Sequence, residues 1–242
     1  MTTTASHPAT HPAPVAADRA RQVVVTLSEI FCVVGTLFGV GVLGTRVEET
    51  SGGALSAEAT RLAPAGPAFS IWSVVYLGLA AYTIWQWLPS HASSPRSRAT
   101  GWLAAVSMVL NAAWLLVTQQ GWIWVSVVVI VALVLTLGEL VRRLATTPPS
   151  STGRARTAEV VVVDGTFGLY LGWVAVATCA NVTTALVSSG VTPSDVVRDI
   201  AAVLVLLVVA GLGVLLARRL GGRYAVATAA AWGLAWIAVG RT

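Results

Sequence analysis

The chain has 242 residues, 56% of them hydrophobic and 10% charged, with a formal net charge of +5. Soluble domains carry about 25% charged residues, so most of this chain must avoid water. Its fifteen arginines lie largely in short links between apolar runs, which points to membrane topology and away from nucleic acid. There is no lysine, which excludes a retinal or pyridoxal Schiff base and a phosphate-loop lysine. His7, His11 and His91 all fall outside the apolar runs, so no imidazole can ligate a metal or haem iron inside the membrane.

A helix needs roughly 20 apolar residues to cross the hydrocarbon layer. The runs that qualify are about 22–44, 66–88, 101–119, 121–144, 161–186, 197–217 and 223–240. Residues 1–20, rich in Thr, Ala and Pro, are expected to be a disordered tail. The first run is too long and starts too late for a signal peptide, and is expected to remain as a span. With the N-terminus cytoplasmic, eleven arginines fall on inside segments and four outside. That asymmetry supports seven spans in an inner or plasma membrane, with the C-terminus outside. The expected fold is therefore an all-α integral membrane protein of about seven helices.

In the first run, Cys32 reads as a small buried residue, as Cys179 does in the fifth, and not as half of a disulfide. Gly35 and Gly39 have the spacing that permits close helix contact, within the bundle or in a homodimer, and so do Gly168 and Gly172. The 45–65 connection is long for a helical bundle and is expected to cover a site. Phe69, Trp72 and Tyr76 then share one face of the second helix. Asn111 and Trp114 share a face of the third, and Tyr170, Trp173, Ala177 and Asn181 form a stripe on the fifth. Taken singly, each aromatic reads as core, and each Asn as a bridge between helices, because an unsatisfied amide in hydrocarbon is costly. Trp85, Trp87, Trp102, Trp122 and Trp124 lie near span ends, where indoles anchor at headgroups.

Three acids fall toward the inner side. Glu139 is three and four residues from Arg142 and Arg143, which predicts a local salt bridge. Glu29 and Asp164 are candidates for a proton relay, because intramembrane carboxylates are expensive and often functional. The sixth run is almost wholly aliphatic, and the seventh carries Trp232 and Trp236 among many alanines.

Four segments, Pro67-Ala-Phe69-Ser-Ile-Trp72-Ser-Val-Val-Tyr76, Leu110-Asn111-Ala-Ala-Trp114, Gln119-Gln-Gly121-Trp122 and Tyr170-Leu-Gly-Trp173-Val-Ala-Val-Ala177-Thr178-Cys-Ala-Asn181, occur in that order. This ordered set resembles the tryptophan-rich sensory protein and translocator protein family over about residues 22–187. The resemblance implies a five-helix ligand-binding membrane core (21–187) followed by two additional helices (188–242). It also implies an apolar pocket for tetrapyrroles, sterols or similar flat lipophilic molecules, with Trp72, Asn111, Trp114, Trp173, Ala177 and Asn181 in or beside it. The stretch Ala65-Gly66-Pro67-Ala68 departs from the family pattern, lacking the aromatic usual just before Phe69.

The expected function is a receptor- or sensor-like membrane protein binding such a ligand between helices 2, 3 and 5 under the 45–65 loop. No cofactor is required, and a metal-free porphyrin or a sterol suits a membrane region without histidine. The expected partners are membrane lipid and the lipophilic small molecule. A secondary transporter is the alternative. An enzyme is the least supported class, because no nucleophile–base pair or metal cluster falls in the spans.

Overall fold

The computed structural model describes residues 13–43, 45–53, 56, 60–149, 151–191 and 224–241, with scattered positions between 194 and 211. Among them, five helices are long and apolar enough to cross a membrane: α1 (Ala16–Gly39), α2 (Gly66–Trp85), α3 (Pro95–Gln119), α4 (Ile123–Thr146) and α5 (Gly153–Ser188). A shorter apolar helix, α6 (Tyr224–Val239), lies on the expected seventh span. The expected sixth span, 197–217, falls almost entirely outside the described residues. The expected tail also lies outside them, up to residue 12.

Residues 16–20 are helical and extend α1. Asp18 reaches back to the Val15 backbone N–H at the helix start, and its carboxylate takes hydrogen bonds from Arg21 and Arg98. A charge-neutralised first turn can thus be buried, which apolar periodicity alone does not reveal. α3 starts six residues before its apolar run at 101–119, because Ser94 caps the Ser97 N–H and Pro95 occupies the first turn. A turn through Gly121, at φ +73°, reverses the chain into α4. Within α5, residues Val160–Gly165 form a π-helical segment, a widened turn that recurs at functional sites.

The helices close a ring in the order α1, α3, α4, α5, α2, and α6 packs on α5. α1 and α3 run parallel: a side chain at Gly101 would meet Arg21, and one at Gly35 would meet Ala112 at 2.9 Å. A side chain at Gly172 would strike the Val226 carbonyl and lie 2.9 Å from Ala229. Both small-residue pairs therefore serve contacts inside this chain. Leu133, Leu137, Leu140, Met108, Phe167 and Tyr170 fill the centre, while Leu27, Leu77, Val128 and Leu135 project outward as a lipid-facing surface must.

Candidate ligand-binding cavity

Below the start of the 45–65 loop lies a cavity of about 330 Å³. Phe69, Trp72 and Tyr76 form one wall, because their spacing sets all three on the same face of α2. Trp72 stacks on Tyr76 with ring centres 5.3 Å apart and planes 14° from parallel. Trp114 and Leu115 of α3 close the opposite side. The end of α1 contributes Thr36 and Val40, and the loop contributes Arg46 and Val47.

The α5 stripe stands behind this wall. Trp173, 1% exposed, sets its ring edge-on to Phe69 at 5.8 Å and to Trp72 at 6.2 Å. Tyr170 meets Trp72 edge-on at 5.9 Å, and its hydroxyl donates to the Ser107 carbonyl at 3.3 Å. Ala177 is partly buried against the same core. The two stripes therefore interlock, and the α5 rings fix the orientation of the rings that line the cavity.

Each asparagine ties three helices together. Asn111 Nδ2 donates to Cys32 Sγ at 3.3 Å and to the Tyr76 hydroxyl at 3.1 Å, joining α3 to α1 and α2. Asn181 Oδ1 accepts from the Trp114 indole N–H at 2.8 Å, while its Nδ2 donates to Ser126 Oγ at 3.0 Å. Asn181 thus orients Trp114 from behind, and Asn111 holds the Tyr76 hydroxyl. Neither amide is among the groups lining the cavity.

The two relay candidates have different surroundings. Asp164, on the π segment, is bound by Arg96 at 2.6 and 2.7 Å. The same guanidinium reaches Glu159 at 3.1 Å and the carbonyls of Leu144 and Thr147, cross-linking α3, α4 and α5 at the arginine-rich end. Glu29 is 6% exposed, and neither carboxyl oxygen has a hydrogen-bond partner among the described residues. Glu139 pairs with Arg142 and Arg143, each at 2.7 Å, as its spacing predicts.

The loop is fastened at both ends. Gln119 Nε2 donates to the Thr45 carbonyl at 2.6 Å. At the far end, the Arg241 guanidinium donates to the carbonyls of Thr60, Arg61 and Ala63, and the Ala65 N–H donates to the Trp236 carbonyl at 3.1 Å. α6 therefore braces the loop as well as α5. Sequence reasoning missed Thr36, Val40, Arg46 and Val47. The parallel contact of α1 with α3 brings them in, and the Gly35/Gly39 pair was the only sequence sign of that contact. A wider hollow of about 730 Å³ between α2, the π segment and Tyr224 is mostly aliphatic and contains none of the stripe residues.

Residues 23–242 match the family model described as TSPO-like protein. The match runs past the five long helices and includes α6. Comparison with curated proteins and with solved structures returned no match.

Proposed function

Because the chain belongs to the TSPO-like protein family, we propose that it is a receptor- or sensor-like membrane protein whose cavity takes a flat lipophilic ligand. The observation that supports this most is the lining itself. Phe69, Trp72, Tyr76 and Trp114 give broad apolar faces, and Arg46 supplies a cation at the rim. The volume of about 330 Å³ is at the low end for ligand pockets, so the cavity would enclose only part of a porphyrin ring. A porphyrin carrying carboxylates offers Arg46 an anionic edge that a sterol lacks. A metal-free tetrapyrrole is thus the favoured class, with Trp72 as the stacking surface. Directional transport is the second reading, favoured only by the unpaired Glu29 carboxyl.

The test is quenching of tryptophan fluorescence by protoporphyrin, with a sterol as competitor. Trp72→Leu is expected to weaken binding by about tenfold, which corresponds to the loss of roughly 1.4 kcal/mol of stacking. Arg46→Gln is expected to weaken porphyrin binding and leave sterol binding unchanged. Unaltered porphyrin binding in the Trp72→Leu/Arg46→Gln double variant would sink the assignment.

A further inference from the structure

Glu29 sits near the middle of α1, about 20 Å along a helix of about 36 Å. It belongs to the buried stripe Val25, Ser28, Glu29, Cys32, which faces into the ring of helices. Along the parallel contact of α1 with α3, it lies between the level where Arg21 meets Gly101 and the level where Gly35 meets Ala112. Both of its oxygens are buried, with no hydrogen-bond partner among the described residues.

The groups around it offer no compensating charge. On α1 the neighbour toward the loop end is the Cys32 thiol. From α2 the titratable group within electrostatic reach is Tyr76, and from α5 it is Tyr170. The buried face of α3 at this depth carries Ala104, Ala105, Ser107, Met108 and Asn111, none of them charged. Ser107 Oγ is turned to its own helix, donating to the Ala104 carbonyl. Arg21 lies eight residues away, about 12 Å along α1, and is held by Asp18 and the Ala92 carbonyl. Among the described residues no cation faces it, and a buried carboxylate is costly when ionised without one, whereas the neutral acid is tolerated.

One turn further along, Cys32 shares the Asn111 amide with Tyr76, and Tyr76 lines the cavity. Asn111 Oδ1 is itself buried, with no partner among the described residues. We propose that Glu29 is an intramembrane proton-binding site, coupled to the cavity through Cys32, Asn111 and Tyr76. Gain or loss of its proton changes the charge one turn from the Cys32 thiol, which shares the Asn111 amide with the cavity-lining Tyr76 hydroxyl. The Asp164 carboxylate differs in being bound by the Arg96 guanidinium. The coupling, though not the proton site, rests on the cavity being the ligand site.

Two measurements separate these claims. Infrared difference spectra of the full chain in phosphatidylcholine vesicles, between mildly acidic and mildly alkaline pH, are expected to show the carbonyl stretch of a protonated carboxylic acid. That band should vanish in Glu29→Gln, an isosteric change, and persist in Asp164→Asn. If the Glu29→Gln spectrum retains every such band, or the wild type shows none, the proton site is overturned. Protoporphyrin quenching is then titrated across the same range. The wild-type affinity is expected to shift severalfold with pH beyond the shift seen in Glu29→Gln. Identical pH profiles would overturn the coupling. A wild type that binds no porphyrin removes the ligand reading and the coupling built on it, and leaves the infrared result standing.

Discussion

The indole N–H of Trp114 donates to Asn181 Oδ1 over 2.8 Å, linking two residues 67 positions apart and joining α3 to α5 behind the cavity. Both are buried, and Asn181 also pairs with Ser126 of α4. One amide therefore sets the ring that closes the cavity opposite Trp72.

Asn181→Ala would leave the Trp114 N–H and Ser126 without this partner. The expected cost is about 1–2 kcal/mol, in line with an orphaned buried donor and with the weaker hydrogen bonds measured inside bilayers. Thermal unfolding in detergent checks the stability. Weaker ligand quenching in a variant that remains folded checks the role in positioning Trp114.

Arg96 is 4% exposed and is ion-paired with both Asp164 and Glu159. Removing it takes the guanidinium from two buried carboxylates, so Arg96→Ala is expected to lose about 3–5 kcal/mol. The triple variant with Asp164→Asn and Glu159→Gln should regain part of that loss. Equal melting temperatures for Arg96→Ala and wild type would show that the network does not hold the three helices.

Gly172→Ala would set a methyl group against the Val226 carbonyl, where the helices leave no room. The expected cost is about 1–3 kcal/mol, with α6 displaced from α5. Gly138→Ala is the control: its new methyl group meets nothing within 4 Å, and the higher helix propensity of alanine should add up to about 1 kcal/mol. Thermal melts of the two variants, shifting in opposite directions, would confirm the contact.

Arg241 holds three carbonyls of the 45–65 loop. Arg241→Ala is expected to speed hydrogen exchange across residues 60–65 and to raise the ligand off-rate severalfold, with little change in helix content. Exchange that remains at wild-type rates would show that α6 does not brace the loop.

Local chemistry was legible without the structure. Five long apolar runs had to become spans because backbone groups in lipid must be satisfied within a helix. The pairing of Glu139 with Arg142 and Arg143 followed from i,i+3 and i,i+4 spacing. The shared face of Phe69, Trp72 and Tyr76 followed from the 3.6-residue period. Each of these depends on neighbours a turn or two away. Only tertiary structure decided how the helices are rotated and set in depth against one another. It placed the α5 aromatics behind the α2 wall, brought Thr36 and Arg46 to the cavity, and gave Asp164 to Arg96, 68 residues away. It also left the Glu29 carboxyl without a hydrogen-bond partner among the described residues. Helical periodicity says which residues share a face, but packing across the whole bundle selects what that face meets, and no spacing within one helix encodes it.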